Sequence, residues 1–162
     1  MANPLLRVNL DTFDTLLTID SFRTFTRLIE GTEIETTLRS RTALTLFAPI
    51  NRGFSNLPAD FLRKLISARS SRILLEVLQY HLVTGRLTAK ELSPNQCVTT
   101  KQGNDLNITE ADDGLRINDA RIVLPDIPTR DGLIHGIDEL LIPGELALVK
   151  YLSLSRSLST DD

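Results

Sequence analysis

Hydrophobic positions recur at helical spacing through the first part of the chain. Asp11 and Asp20 are suited to cap two short helices in turn, because a carboxylate can accept from the free amides at a helix start. The apolar face of the second helix consists of Phe22, Phe25 and Ile29. Gly31 suits the position just after this helix, and residues 33–38 predict a further helical turn.

A buried strand is predicted over residues 43–48, where the chain is apolar and rich in β-forming residues. Pro49 should end this strand, because proline lacks the N–H that a central ladder needs. Apolar residues then return to helical spacing and predict two more helices, over residues 57–66 and 73–81.

The pattern changes to short strands in the second half of the chain. Predicted strands cover residues 96–101, 106–109, 115–117, 120–124 and 133–142. Asp112, Asp113 and Gly114 mark a hairpin between the second and third of these strands. A loop with two prolines separates the last two. Helices first and strands later, with one early strand, is an α+β pattern.

Two mostly apolar boxes lie far apart in the chain, with a short element between them. The chain reads Thr-Leu-Phe-Ala-Pro-Ile-Asn-Arg-Gly-Phe at residues 45–54, Tyr-His-Leu-Val at 80–83, and Gly-Leu-Ile-His-Gly-Ile-Asp-Glu-Leu-Leu-Ile-Pro at 132–143. In this order they resemble the fasciclin (FAS1) domain, over about residues 10–143. The resemblance implies a β-sandwich wedge of about seven strands, flanked by N-terminal and central helices.

The resemblance divides the chain into a fasciclin-like domain, residues 1–143, and a C-terminal extension, residues 144–162, that is partly helical or disordered. Leu148 and Leu152 lie on an imperfect helical face of this extension. Two interpretations stay open for it. It packs partly on the domain and frays, or it docks on a partner.

Composition narrows the classes of partner. The formal net charge is −3 and no Lys/Arg cluster is present, which argues against nucleic-acid binding. One cysteine excludes an internal disulfide and suits a reducing compartment. No signal peptide and no run of transmembrane length is visible. We therefore predict a cytoplasmic protein, peripheral to a membrane complex, with secretion or surface attachment as the alternative that most fasciclin-type domains suggest.

Few residues offer chemistry. A metal site of His81, His135 and Cys97 lacks any close ligand spacing. Cys97 is better interpreted as a small hydrophobe. The chain also lacks the motifs of common enzymes and nucleotide-binding sites. The sequence predicts no enzyme activity, no cofactor and no metal.

Two short elements are candidates for contact with a partner protein. Tyr80 and His81 form either a recognition surface, as in integrin-binding fasciclin domains, or a core pair whose ring nitrogens bond to the backbone. Asp126 and Ile127 follow Pro125 and resemble the receptor-contact element of adhesion-type domains. The alternative is a strand-end turn in which Asp126 caps local donors.

Gly136 stands where the fasciclin pattern commonly has a β-branched residue. It marks either a binding face or a site of close local packing. The chain also has Ile50 and Gly53 where the pattern has threonine and alanine, and neither change threatens the fold.

Three functions follow as hypotheses. The first is a non-enzymatic protein–protein interaction module, monomeric when isolated, without direct membrane insertion. It would be a soluble subunit that docks on a larger membrane complex of the CO2-uptake NAD(P)H dehydrogenase type, a role that some intracellular fasciclin-type proteins have. The second is extracellular cell adhesion. The third is a carrier of carotenoid or another apolar ligand, which the low aromatic content of 5% disfavours.

Overall fold

The structure is a computed structural model, and it describes residues 9–55, 57, 59–60, 63 and 72–143. The predicted C-terminal extension, with Leu148 and Leu152, lies outside the described residues. Most of the predicted helix over 57–66 does so too.

Four helices can be described, and side-chain caps mark the starts of the first and the third. They are α1 (Thr12–Leu17), α2 (Arg23–Ile29), α3 (Glu33–Arg39) and α4 (Arg72–Gln79). Asp11 Oδ1 accepts from the backbone N of Asp14 at 2.7 Å, which confirms the predicted cap of α1. Gly31 follows α2 with φ of 82°, as predicted.

The predicted cap at Asp20 is wrong. Asp20 instead begins a 3-10 turn, Asp20–Phe22, that runs directly into α2. Its carboxylate pairs with Arg23 at 3.2 Å and makes no capping bond. The sequence pattern was misleading because an acidic residue in the first turn of a helix and an N-cap residue look alike.

Seven strands form one sheet in the order β2-β1-β7-β6-β5-β4-β3. They are β1 (Leu44–Pro49), β2 (Leu82–Thr84), β3 (Cys97–Thr99), β4 (Asp105–Ala111), β5 (Gly114–Ile117), β6 (Ala120–Pro128) and β7 (Leu133–Ile137). Only β1 and β7 pair in parallel among these neighbours. A bridge between Val83 and Thr100 joins the two outer parts of the sheet and nearly closes it. The predicted α+β class with about seven strands is confirmed.

Strands β1 and β7, which pair with each other, bury both of their faces. Leu46 and Ala48 of β1 pack into the cluster formed with the helices. Phe47, between them, points to the opposite side and joins a second cluster with β4 and β5. Since successive side chains of a strand alternate, β1 separates two cores and must be apolar throughout. All six of its residues are buried.

β6 is longer and less regular than predicted. It continues past residue 124 to Pro128, and register shifts fall between Ile122 and Leu124 and between Leu124 and Ile127. Such bulges let a strand contain prolines that a regular ladder would exclude. β7 in turn is shorter than predicted, since it ends at Ile137 rather than at residue 142.

Two glycines permit close packing around β7. A Cβ at Gly132 would overlap the carbonyl oxygen of Leu44. A Cβ at Gly136 would lie 2.8 Å from the Cβ of Leu124 and 3.1 Å from the Cζ of Phe22. Local packing therefore explains Gly136, and the binding-face alternative gains no support from it.

The Gly132→Ala variant should be destabilised by about 3 kcal/mol, because the added methyl group meets backbone that cannot rotate away. Gly103→Ala is the matched control. Its Cβ meets open space, so it should cost only the strain of its φ of 112°, about 1 kcal/mol. Urea unfolding of both variants measures the difference. Equal losses would contradict the steric account.

Candidate functional site

The most exposed irregular segment of the sheet lies between the bulges of β6. We call Leu124, Pro125, Asp126 and Ile127 the β6 ridge. The first three are exposed, and Leu124 keeps 37% of its surface open to solvent. Among the described residues, Leu17 on α1 is the other large hydrophobic residue with such exposure, at 53%. The ridge thus places an apolar side chain beside a carboxylate at the surface.

Asp126 is held in an unusual conformation by contacts outside its own strand. Its φ is 57°, in the left-handed region that non-glycine residues seldom adopt. Its Oδ1 accepts from the backbone N of Ala89 at 2.9 Å. The turn interpretation predicted a local donor, and this was wrong. The donor comes from the segment between β2 and β3, far away in the chain.

The His135 ring is hydrogen-bonded to the backbone of Asp126. The backbone N of Asp126 donates to His135 Nδ1 at 3.1 Å. His135 Nε2 lies 2.7 Å from the carbonyl oxygen of Leu87, so Nε2 carries the proton and donates. The ring also stacks on Phe47 with centroids 5.7 Å apart. Burial lowers the pKa of His135, while the Leu87 carbonyl and the Asp126 carboxylate oppose that shift.

Tyr80 and His81 lie in the interior, with 4% and 0% of their surfaces exposed. His81 Nδ1 donates to the carbonyl of Val77 at 2.7 Å, and Nε2 accepts from the backbone N of Leu141 at 2.9 Å. The prediction of a core pair with ring nitrogens bonded to the backbone is confirmed. Burial also lowers the pKa of His81 to about 4, against the opposing effect of its bond to Val77.

Ile127 connects the ridge to the helical side of the molecule. It is half-buried and packs against the core that the helices cover. It also lines a cavity of about 170 Å³ together with Leu10 and Ile19. Ile19 in turn borders a second cavity of about 310 Å³ between α1 and α2, whose lining includes Arg23 and Glu30. The surface around the ridge is therefore indented and partly apolar.

The groups that could perform chemistry do not converge. Both ring nitrogens of His81 and of His135 are occupied by backbone groups. Cys97, interpreted from the sequence as a small hydrophobe, is exposed on β3, where its Sγ lies 3.1 Å from Asn107 Oδ1. Within the described ranges, no group of three His, Cys, Asp or Glu residues is placed to hold a metal ion.

Among the helices of the described part of the chain, none combines the length and apolar character needed to span a bilayer.

The contacts of Leu87 with His135 and of Ala89 with Asp126 carry no sequence signal. Both contacts use backbone atoms, a carbonyl and an N–H, which every ordinary residue has. Sequence reasoning could therefore select Asp126 and His135 but could not join them through this segment.

Comparison with known proteins gives a consistent result. A family model described as Fasciclin domain matches residues 20–143. Protein sll1483 of Synechocystis sp. (strain ATCC 27184 / PCC 6803 / Kazusa) is 27% identical over 124 residues, which cover 76% of this chain and 68% of that protein. Periostin of Homo sapiens is 31% identical over 126 residues, which cover 76% of this chain but 15% of periostin.

A solved structure supports the same fold. It is a FAS1 domain pair from the insect cell adhesion molecule Fasciclin I. The TM-score is 0.71 at 19% sequence identity, and the match covers 84% of this chain and 52% of that chain. At this identity the likeness concerns the fold alone.

The stability of the domain should fall on acidification because His81 is buried in its neutral form. Its folded pKa of about 4 lies below the ordinary histidine value of 6.5, so the unfolded state binds the proton more tightly. The stability is complete above pH 6.5 and is lost as the pH falls toward about 4, by roughly 3 kcal/mol for this residue. His135 should act in the same direction.

Denaturant unfolding at several pH values measures this loss. A His81→Gln variant should be less stable at neutral pH and should respond less steeply to acid, since its side chain does not titrate. Parallel pH dependences for the two proteins would exclude His81 as the cause.

Proposed function

Because the chain belongs to the fasciclin domain family, we propose that it is a non-enzymatic protein-interaction domain whose contact surface is the β6 ridge. Domains of this family mediate protein–protein interactions, typically in adhesion. The proposal rests on the ridge, an exposed segment in which the left-handed Asp126 is hydrogen-bonded to His135 through its backbone and to Ala89 through its carboxylate.

A surface fixed before binding favours affinity. Binding a mobile loop costs conformational entropy at every immobilised residue, and a segment that is already held avoids much of this cost. The amide and carboxylate of Asp126 are both tied to other segments of the domain. In the described part of the chain only Oδ1 of this carboxylate is bonded, which leaves Oδ2 for a donor from a partner.

The apolar part of the ridge would supply the area that is removed from water. Leu124 is exposed beside Pro125, and the Ile127 cavity opens next to it. Protein interfaces combine such an apolar centre with a few polar contacts. Tyr80 and His81 are left out of the proposed surface, because both are buried.

The partner is proposed at a finer level from the sequence. A fasciclin domain with one cysteine and a net charge of −3 suits a soluble cytoplasmic subunit that docks on a membrane dehydrogenase complex of the CO2-uptake type. The C-terminal extension, through Leu148 and Leu152, would then provide a second contact.

Extracellular adhesion is the alternative, and the comparisons favour it on one point. One relative, MPB83 of Mycobacterium bovis, is described as a cell surface glycolipoprotein and is 31% identical over 99 residues, which cover 61% of this chain and 43% of that protein. The ridge would serve a receptor as well as a complex subunit, so the two hypotheses share a surface and differ in the partner. The carrier hypothesis stays a prediction. The larger described cavity is lined by Asp20, Arg23 and Glu30, among others, and this does not suit a long apolar ligand.

A Leu124→Asp variant should lose its partner. The substitution places a charge at the centre of the proposed contact, so capture should fall by about tenfold or more, which corresponds to about 1.4 kcal/mol. Leu17→Asp is the matched control, because it changes the other exposed leucine of the described residues, on α1. Tagged proteins are used to pull down partners from the soluble and membrane fractions of the native host, with quantification by mass spectrometry.

The outcome separates the hypotheses. Dehydrogenase subunits that are lost with Leu124→Asp and retained with Leu17→Asp would support complex docking. Surface or matrix proteins with the same pattern would support adhesion. Equal capture by both variants would rule out the ridge as the contact surface.

Deletion of residues 146–162 tests the second contact. We expect weaker association with the complex and an unchanged thermal midpoint, because the match to the fasciclin family model ends at residue 143. Size-exclusion chromatography of host membranes solubilised with mild detergent, together with calorimetry of the purified domain, measures both. Full association after the deletion would remove the extension from the proposal.

A further inference from the structure

We propose that His135 is a positioning residue that holds the β6 ridge in its exposed conformation, and that protonation of its ring releases the ridge. This inference rests on the proposed function of the ridge as the contact surface. It adds that docking is regulated by pH.

Three hydrogen bonds form a closed set around Asp126. Its N–H donates to His135 Nδ1 at 3.1 Å, and its Oδ1 accepts from Ala89 N at 2.9 Å. His135 Nε2 donates to the carbonyl oxygen of Leu87 at 2.7 Å, which returns to the segment that also carries Ala89. One imidazole thus connects β7, the bulge of β6 and the segment between β2 and β3.

The backbone of Asp126 depends on this support. A left-handed conformation at a non-glycine residue costs about 1 kcal/mol, although aspartate tolerates it better than most residues. The bond from its N–H to His135 is one that the left-handed φ of 57° makes available. When that acceptor is lost, the strain remains and a part-buried donor lacks its partner.

Protonation removes the acceptor. A neutral imidazole with its proton on Nε2 offers a lone pair at Nδ1, whereas the imidazolium has N–H groups at both positions. The Nδ1–H would then face the N–H of Asp126 across 3.1 Å. The Nδ1–H of the imidazolium can instead donate to the nearby Asp126 carboxylate. This new bond would draw Oδ1 of Asp126 away from Ala89. Both anchors of the ridge are therefore weakened by one proton.

Among the described residues, Asp126 is the one charged group whose charge shifts the pKa of His135. β1 presents the ring of Phe47. The segment before β3 presents the carbonyl of Leu87, while Arg86 and Lys90 of that segment are exposed. β6 presents Asp126, whose charge favours the imidazolium. Burial is the larger effect and lowers the pKa of His135, so the ridge is held at neutral pH and released in acid.

A pH titration of the isolated chain by NMR tests the inference without any partner. The His135 ring carbons and the Asp126 and Ala89 amides should change together, with one midpoint below the ordinary histidine value of about 6.5. Hydrogen-exchange protection of the Asp126 amide, corrected for the intrinsic rate, should fall by about tenfold or more across that midpoint. The Ile50 amide, which donates to the backbone carbonyl of Ile137 at 2.8 Å, has no titrating partner and serves as the internal control.

Two amide variants separate the nitrogens of the ring. His135→Asn can keep an acceptor near the Nδ1 position and does not titrate, so Asp126 should stay protected in acid. His135→Gln can keep the donor near the Nε2 position and lacks the acceptor, so Asp126 should be unprotected at every pH. A His135 ring that titrates in the wild-type chain while the Asp126 amide does not respond would overturn the inference, and this result does not require either variant to fold.

Partner capture from the host fractions at about pH 7.5 and at about one pH unit below the midpoint found by NMR completes the test, because the imidazole is then about nine-tenths protonated. Capture by wild type should fall about tenfold in acid, and capture by His135→Asn should not. An acid response that His135→Asn shares would overturn the regulatory claim. Loss of Asp126 protection in acid, together with full capture by Leu124→Asp, would instead show that the ridge is released but is not the contact surface.

Discussion

The parallel pairing of β1 with β7 joins the first strand of the domain to the last, and the other elements are arranged around this pair. Thr45 lies beside Leu133 and Pro49 beside Ile137, and both strands are buried along their full length. The pairing requires close backbone approach at Gly132, where any side chain would meet the carbonyl of Leu44. With this pair in place, the helices cover one face and the outer strands enclose the other.

The two buried histidines solve a problem that this pairing creates. Segments that leave a central sheet abruptly have backbone groups that no ladder neighbour satisfies, and such groups are costly when they are buried. His81 joins Val77 to Leu141, and His135 joins Leu87 to the ridge. Their protons lie on opposite ring nitrogens, since the two sites present carbonyl and amide groups in the reverse arrangement. An imidazole can serve both arrangements because it carries one donor and one acceptor.

The sequence predicted the features that depend on neighbouring residues. The cap at Asp11, the left-handed Gly31 and the hairpin at Gly114 all follow from local chemistry, and the structure contains each of them. The fasciclin pattern also indicated the fold class, because its first and last boxes contain most of β1 and all of β7.

Features that depend on distant pairing were missed or misjudged. The two prolines of β6 indicated a loop, but pairing with β7 keeps this segment in the sheet through two bulges. Cys97 was interpreted as a small hydrophobe, and its position on short β3 turns it outward while Val98 is partly buried. Sequence reasoning selected Asp126 for its family position. Its anchoring by Ala89 could not be predicted, because the contact is between a carboxylate and a backbone amide of a segment that only the folded chain brings near.

The bridge between Val83 and Thr100 limits strand pairing between neighbouring copies of this domain. A sheet that nearly returns on itself offers little exposed ladder to a neighbour, and exposed ladders are where folded β-proteins recruit one another into aggregates. Such a domain can be present at high local concentration, or follow another in the same polypeptide, without forming mixed sheets. Its recognition of other molecules must then depend on side chains and bulges rather than on the addition of a strand.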